Sequence, residues 1–148
     1  MENFGSACIL HFQSPSEEAC RHIEESLEII STFYPQVSVK RIDFEEDSNS
    51  GLCESLNVSQ VPTVVALFEQ KEISRITEFD AEKLKTMFDL LKQKIQQKAI
   101  DERLKTLINQ SKIMLFVKGS PAAPKCGFTR QLLQIFQDKQ IAFDSFDI

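Results

Sequence analysis

The chain has 148 residues, a net charge of −5 at pH 7 and a pI near 5.1, and it contains no cluster of basic residues interleaved with aromatic side chains. These features argue against nucleic acid as a partner, because proteins that bind it gather lysine and arginine to contact phosphate groups. Apolar residues make up 42% of the chain and charged residues 26%, which excludes a disordered chain and is typical of a soluble globular protein.

The N-terminus and the cysteines bear on where the protein works. The first twelve residues, MENFGSACILHF, have no positively charged region before a short apolar run, and no segment reaches membrane-spanning length. We therefore expect no signal peptide, no membrane partner, and a location in the cytoplasm or the nucleus. The four cysteines, at positions 8, 20, 53 and 126, form no C-x-x-C pair, so we expect free thiols and neither a zinc site nor a disulfide framework.

The first part of the chain predicts a parallel βαβ unit. The apolar run at residues 8–12 is typical of a strand, and apolar residues then recur at helical spacing through residues 19–30. Pro15 lies near the predicted helix start, and Tyr34 is followed by a proline that ends the helix. The alternation over residues 37–44 indicates a second strand, and a helical crossover between two strands favours a parallel pair.

Five further elements are predicted before residue 96. They are a short helix, a buried strand, a polar hairpin tip, the return strand and a closing helix, at residues 51–56, 61–68, 69–72, 73–76 and 84–95. The resulting order is βαβαββα, so the chain is predicted to open with an α/β domain at residues 1–95.

The rest of the chain predicts the start of a second α/β domain at residues 99–148. The polar segment 92–98, KQKIQQK, lacks glycine and proline, and we interpret it as a helical connector. A new amphipathic helix, a strand, a loop, a helix and a strand follow, at residues 100–108, 113–117, 119–125, 132–136 and 141–148. A unit of this size leaves sheet edges and an apolar face uncovered, so we expect a C-terminally truncated domain that is less stable from Ser111 onward.

A first candidate site lies at residues 12–20, FQSPSEEAC, between the first strand and its helix. The segment resembles a thioredoxin active-site segment, F-W-A-P-W-C-G-P-C, with Glu17-Glu18-Ala19-Cys20 in the place of C-G-P-C. Disulfide exchange needs an attacking thiolate and a second thiol that resolves the mixed disulfide, and Glu17 supplies neither. We therefore expect Cys20 to be a small core residue, and we expect the same of Cys8 and Cys53.

The sequence Val61-Pro62-Thr63 resembles the proline loop of the thioredoxin fold, which lies beside the redox motif and contains a cis X-Pro bond. Without this resemblance Pro62 is expected to be trans, since most X-Pro bonds are trans. The two resemblances together imply a thioredoxin-like fold with a central mixed sheet. They also imply a domain at residues 1–95 that binds other molecules and has no redox-active cysteine pair.

The second candidate site is the motif PKCGFTR at residues 124–130. Residues 114–121, MLFVKGSP, and the motif C-G-F-T at residues 126–129 resemble the monothiol glutaredoxins, whose signature is C-G-F-S. The similarity extends to residues 145–148, SFDI, and with a thioredoxin-like domain in front the chain resembles the multidomain monothiol glutaredoxins of the PICOT type. Thr129 replaces the serine and keeps the hydroxyl group. The family also holds glutathione with a second proline loop and a Gly-Gly turn, and neither is present in this sequence.

The residues around Cys126 indicate the chemistry of its lone thiol. A thiol at a helix N-terminus, with Lys125 adjacent and Lys118 near it, is expected to ionise readily, and Gly127 lets a ligand approach the backbone closely. One thiolate cannot fill the four cysteine-type positions of a [2Fe–2S] cluster, so a cluster bound here must take other thiols from elsewhere.

The resemblance implies the source of those thiols and the roles of three residues. Two chains and two glutathione molecules would each contribute one thiol, which predicts a homodimer around a shared cluster, with BolA-type proteins and cluster-receiving clients as further partners. Cys126 would ligate iron, Lys118 would bind a glutathione carboxylate, and Phe128 would line the site. The residues alone leave two alternatives open, a solvated lysine at position 118 and a packed ring at position 128, and they indicate that Arg130 lies on the surface.

The leading hypothesis is a protein that binds and traffics iron–sulfur clusters, in iron homeostasis and redox homeostasis. The first alternative is an enzyme, a glutathione-dependent thiol–disulfide oxidoreductase with Cys126 as the catalytic residue. The second alternative is a thioredoxin-like interaction module that carries an inactive glutaredoxin remnant.

Overall fold

Two βαβ segments occur in the computed structural model, which describes residues 4–148 and separates the chain into two units, Met1–Gln97 and Lys98–Ile148. In the first unit, strand β1 (Ala7–Gln13) is followed by helix α1 (Glu18–Ser31) and strand β2 (Ser38–Asp43), and β2 lies parallel to β1. This confirms the parallel pair that the helical crossover predicted.

The first unit is completed by a 3₁₀ turn, a short helix, a hairpin and a long helix, whose residues 98–108 belong to the second unit. These are Asp47–Asn49, α2 (Ser50–Ser55), β3 (Thr63–Phe68), β4 (Lys71–Ile76) and α3 (Ala81–Ile108). The strands form one sheet in the order β2-β1-β3-β4, with β3 antiparallel to both β1 and β4. The mixed sheet and the element order confirm the predicted α/β class and the thioredoxin-like fold.

Both faces of this sheet are covered, which explains the unbroken apolar runs in its two central strands. Ile9 and Val64 point toward α1 and α3 and pack against Ile23, Leu27 and Phe88. The alternate residues of the same strands form a second cluster on the α2 side, which includes Leu10, Phe12, Val65, Leu67 and Cys53. The two clusters hold β1 in place. One loop follows β1 and another precedes β3, and each lies at the end of its buried strand.

Two predicted boundaries are wrong, one in the hairpin of the first unit and one in helix α3. The hairpin tip has two residues, Glu69 and Gln70, because both adopt positive φ angles of 50° and 64° and β4 starts at Lys71. A two-residue turn of this hand matches the twist of the strands that it joins, so a four-residue tip is unnecessary. The predicted new helix at residues 100–108 is a continuation of α3, since no glycine or proline interrupts the segment from Ala81 to Ile108.

In the second unit, strand β5 (Met114–Val117), helix α4 (Gly127–Asp138) and strand β6 (Asp144–Asp147) form another parallel βαβ segment. The last strand is shorter than the predicted residues 141–148. Ile141 donates its backbone N–H to the carbonyl of Phe136 at 3.0 Å, and Gln140 has a φ of 56°, so these residues close the end of α4. Val117, Thr129 and Leu133 are the buried residues that hold α4 on the two strands.

None of the helices in residues 4–148 combines the length and the hydropathy that crossing a lipid bilayer requires.

Candidate functional site

Cys126 is the N-cap residue of α4. Its backbone is extended, with φ −141° and ψ 159°, and its carbonyl accepts the first helical hydrogen bond, from the N–H of Arg130 at 3.1 Å. The Sγ atom accepts a hydrogen bond from the backbone N–H of Thr129 at 3.3 Å, so the thiol fills the place that a serine or aspartate side chain usually takes. The side chain is half-buried, which leaves the sulfur accessible from solvent.

The pKa of the Cys126 thiol is lowered, as its position at a helix start predicted. The largest cause is the Thr129 hydroxyl, whose oxygen lies 3.1 Å from Sγ and whose O–H group donates a hydrogen bond to the thiolate. The backbone N–H groups of Thr129 and Phe128 and the charge of Lys118 act in the same direction, while burial opposes them. Hydrogen bonds to the charged form therefore outweigh desolvation, and the thiolate is favoured.

Thr129 was not predicted as a site residue, yet it connects the thiol to the sheet. Its side chain is 5% exposed, and its hydroxyl oxygen also accepts the backbone N–H of Lys118 at 3.3 Å. A hydrogen-bond chain thus runs from the end of β5 through Thr129 to Sγ. The available signal was the hydroxyl group that threonine shares with the serine of the C-G-F-S signature.

Asp147, at the end of β6, was also missed. Its carboxylate accepts the backbone N–H of Gly119 at 2.7 Å and pairs with Nζ of Lys125 at 3.1 Å, and these two contacts lower the pKa of Asp147. The sequence predicted that Lys125 would favour the thiolate as a neighbour of Cys126. The structure directs its ammonium group to Asp147 instead, so Lys118 is the lysine whose charge acts on the sulfur.

The loop before Cys126 is shaped by Gly119, which has a φ of 91°. A Cβ atom at this position would lie 2.4 Å from the carbonyl oxygen of Ala123 and 2.7 Å from the backbone nitrogen of Lys125, closer than any side chain permits. Only glycine therefore fits, since it tolerates both the positive φ and the close approach. The hydrogen bond from Lys125 N–H to the Lys118 carbonyl, at 2.8 Å, then sets the approach to the helix.

Phe128 is 85% exposed, so the predicted alternative of a ring packed under the loop is wrong. The ring stands two residues after the thiol on a helix start that directs it away from the β5–β6 core. Leu132 and Ile135 are exposed further along α4. No described atom outside its neighbours lies within 4 Å of a Cβ built on Gly127, and Arg130 is exposed, as the sequence indicated.

The first candidate site presents no accessible thiol. Cys20 is the third residue of α1 and is 2% exposed, which confirms its prediction as a core residue. Cys8 and Cys53 are buried as well, and burial raises the pKa of both thiols. The N-cap of α1 is Glu17, whose side chain makes no capping hydrogen bond. The Val61–Pro62 bond is cis, as the resemblance to the thioredoxin proline loop predicted.

Few side chains of residues 4–148 are placed to ligate a metal together. Among the side chains of residues 4–148, no group of three or more His, Cys, Asp or Glu is arranged to hold a metal ion. Because Cys126 is the one cysteine of the four with an accessible sulfur, the described residues offer a cluster a single thiolate ligand.

Comparisons with known proteins show which proteins the chain is similar to. No protein-family model matches the chain. The chain is 27% identical to glutaredoxin 3 of Danio rerio over 155 aligned residues, which cover 99% of the chain and 47% of that protein. It is 24% identical to monothiol glutaredoxin-4 of Saccharomyces cerevisiae over 168 residues, which cover 95% of the chain and 69% of that protein. Its homologues are therefore monothiol glutaredoxins, and it spans about half the length of the first of these relatives.

A solved structure supports the fold of the first unit. Thioredoxin O2 from Arabidopsis thaliana, in its oxidized state, superposes with a TM-score of 0.54 at 27% sequence identity. The match covers 57% of this chain and 74% of the thioredoxin, and it agrees with the thioredoxin-like sheet order described above.

Proposed function

We propose that the chain acts in thiol redox and iron homeostasis through a monothiol site at Cys126, which binds glutathione and provides one ligand to a [2Fe–2S] cluster that the protein passes to clients. The observation that carries this proposal is the environment of the Cys126 sulfur. It is accessible, it caps a helix, and its pKa is lowered by the Thr129 hydroxyl first and by backbone N–H groups second. The other three thiols are buried.

Glutathione is the proposed small-molecule ligand, since monothiol glutaredoxins are generally associated with it. The charge of Lys118 lowers the pKa of the Cys126 thiol, so the ammonium group of this lysine is a suitable partner for a glutathione carboxylate. Phe128 offers an exposed ring beside the thiol, against which the peptide can pack. Gly127 leaves its backbone open on the side where a Cβ would stand.

The cluster is proposed as cargo, and the described residues fit one of its four ligand positions. An ionised thiolate is the form that ligates iron, and Cys126 is the residue that supplies it. The remaining ligands must come from outside this chain, which agrees with the proposed homodimer and its two glutathione molecules. BolA-type proteins and cluster-receiving clients in the cytoplasm or nucleus are the proposed macromolecular partners, and the unit that contains β1–β4 is the proposed docking domain for them.

Anaerobic reconstitution with iron, sulfide and glutathione tests this proposal. We expect the protein to develop a glutathione-dependent visible absorption band, and we expect Cys126→Ser to lose it. Cys20→Ser is the matched control, because it removes a thiol from the equivalent helix of the first unit and should retain the band. A band of equal strength in Cys126→Ser, or a band that needs no glutathione, contradicts the proposal.

A second function, glutathione-dependent reduction of mixed disulfides, is favoured by the same stabilised thiolate. Cys126 would attack the glutathione sulfur of a glutathionylated client, forming a Cys126–glutathione disulfide and releasing the client thiolate. Free glutathione would then attack this disulfide, regenerate the Cys126 thiolate and leave as glutathione disulfide. Steady-state turnover on a glutathionylated substrate separates the two functions, since a trafficking protein should show little rate.

A further inference from the structure

Serine is followed by proline at two places in the chain, at Ser14-Pro15 and at Ser120-Pro121. Proline-directed protein kinases act on serine or threonine in this dipeptide. Each of the two serines lies in the loop between the first strand and the helix of a βαβ segment, one in each unit. Because the dipeptides are the same, the fold decides which of the two hydroxyl groups a kinase can reach.

The first of these serines, Ser14, is closed to a kinase. Its residue is 3% exposed, and its hydroxyl donates a hydrogen bond to the carboxylate of Glu45 and lies 2.7 Å from the hydroxyl oxygen of Ser16. Glu17 and Glu18 follow in the same loop, so a phosphate here would be repelled by the carboxylates around it. Ser14 is therefore a poor substrate in the folded chain.

The second serine, Ser120, lies in a small turn on the surface. Its N–H donates to the carbonyl of Ala123 at 3.2 Å, and the N–H of Ala123 donates to the carbonyl of Ser120 at 3.0 Å. The four residues of the turn, from Ser120 to Ala123, are all exposed. Opening this turn into an extended form breaks hydrogen bonds between exposed residues and leaves the core of the segment in place. The hydroxyl of Ser120 is therefore accessible to a kinase.

The segment around Ser120 is basic. Residues 103–137 contain six lysine or arginine residues and neither aspartate nor glutamate. Lys118 and Lys125 meet at the base of the turn, where the N–H of Lys125 donates to the carbonyl of Lys118 at 2.8 Å. The carboxylate of Asp147 also lies at this loop, but it pairs with the ammonium group of Lys125 at 3.1 Å. A phosphate on Ser120 would therefore find its cation in Lys118.

We propose that Ser120 is the phosphorylation site of a proline-directed kinase and that its phosphate closes the monothiol site to glutathione. The kinase uses ATP as the phosphoryl donor. A bond forms between the γ-phosphorus and Oγ of Ser120, the bond to the bridging oxygen of ADP breaks, and the hydroxyl proton passes to a base of the kinase. The new phosphate carries a charge of about −2 at neutral pH.

The phosphate would act on the site through Lys118, which lies two residues before Ser120. An ammonium group and a phosphate form a charge-assisted hydrogen bond, and the side chain of Lys118 is exposed and flexible enough to make it. This part of the inference rests on the proposed function, in which Lys118 binds a carboxylate of glutathione. A lysine that is held by phosphate, together with the added negative charge, disfavours the glutathione anion.

Incubation of the full chain with a purified mitogen-activated protein kinase and ATP tests the modification site. The phosphorylated residue would be located by mass spectrometry. We expect phosphate on Ser120, its loss in Ser120→Ala and its retention in Ser14→Ala, which is the matched control in the other loop. Phosphate on Ser14 of the folded chain with none on Ser120, or no phosphate on either serine, overturns the proposal.

Two disulfide probes test the effect of the phosphate on the monothiol site. Glutathione disulfide is anionic and bis(2-hydroxyethyl) disulfide is neutral, and each forms a mixed disulfide with Cys126 and releases one thiol. The ratio of the two rates cancels any change in the reactivity of the thiolate itself. We expect phosphorylation of Ser120 to lower the rate with glutathione disulfide, relative to the neutral probe, roughly five- to tenfold. Lys118→Gln should lower this ratio in the unmodified chain and should reduce the effect of the phosphate.

The same measurement separates a failure of this inference from a failure of the proposed function. An unchanged ratio after complete phosphorylation of Ser120, in a chain whose ratio does fall in Lys118→Gln, overturns the regulatory role of the phosphate. Equal ratios in the unmodified chain and in Lys118→Gln contradict the glutathione site at Lys118, and they overturn the regulatory role with it.

Discussion

Helices α1 and α4 begin at equivalent places in the two βαβ segments, but only α4 begins with a thiol. Glu17 and Cys126 are the two N-cap residues, and each follows the loop after the first strand of its segment. Three residues further on, Cys20 is 2% exposed and Thr129 is 5% exposed, so both face the core. A cysteine at the third helical residue is a packing residue, whereas a cysteine at the N-cap receives hydrogen bonds from the helix start.

The position of a thiol relative to the N-cap decides its chemistry in these two segments. The first segment keeps an ionisable group, His11, in its neutral form by burying it, and the second favours a charged group, Cys126, by hydrogen bonding at an accessible site.

The largest contrast is expected in amide hydrogen exchange. β1 pairs with strands on both sides and is buried on both faces, whereas β6 pairs with β5 alone and is mostly exposed. We expect the amides of Ile9 and Leu10 to exchange at least roughly a hundredfold more slowly than that of Phe146, because they need a larger opening of the structure. Equal protection of the two strands would contradict this expectation.

Thr129→Cys should convert the monothiol site into a dithiol site. The Thr129 hydroxyl oxygen is 3.1 Å from Sγ of Cys126, so a thiol at position 129 is within reach of a disulfide. Treatment with diamide should oxidise the pair, with a mass loss of two hydrogens and loss of the reactive Cys126 thiol. Phe128→Cys is the control, since residues two apart on a helix do not face each other and should form no internal disulfide.

His11 should make the first unit sensitive to acid. Its pKa is lowered from 6.5 to about 4, so the unfolded chain binds a proton at a pH where the folded chain does not. The part of the free energy of unfolding that depends on His11 is fully present above the unfolded pKa of 6.5. It is lost, by about 3 kcal/mol in total, as the pH falls from there through the folded pKa of about 4. Urea unfolding of the wild type and of His11→Leu, at neutral pH and near the lower pKa, measures this difference. Equal losses in both proteins would show that another group titrates.

Thr129→Val should raise the pKa of Cys126, because it removes the hydroxyl that is the largest cause of the lowered value. Alkylation of Cys126 at neutral pH should then slow severalfold. Thr129→Ser retains the hydroxyl and should behave like the wild type. If the valine and serine variants react at the same rate, the backbone N–H groups alone account for the thiolate.

Lys118→Gln is expected to have the smallest effect. Its charge is the last of the causes that lower the pKa of Cys126, and exposed charges act weakly through water. We expect alkylation to slow by about twofold, and we expect Lys125→Gln to change nothing because its ammonium group pairs with Asp147. A larger effect of Lys125→Gln would show that this pair opens in solution.

The sequence was sufficient for features that depend on local pattern. The apolar runs of β1 and β3, the crossover helix α1 and the helix start at Cys126 follow from hydrophobic periodicity and from the C-G-F-T motif. The contacts between distant residues were not predictable in this way. The pair of Lys125 with Asp147 joins residues 22 positions apart and depends on the register of β6 beside β5. The roles of Thr129 and His11 likewise depend on which neighbours the fold supplies.

Site-resolved alkylation of the unmodified protein tests the central claim most directly. The chain would be treated with iodoacetamide from about pH 5 to about pH 10, and labelling of each cysteine would be measured by mass spectrometry. We predict that Cys126 labels with a midpoint below that of an ordinary thiol, while Cys20 stays unlabelled until the protein unfolds. A midpoint for Cys126 at or above that of the unfolded chain, or equal labelling of Cys20, would contradict the account.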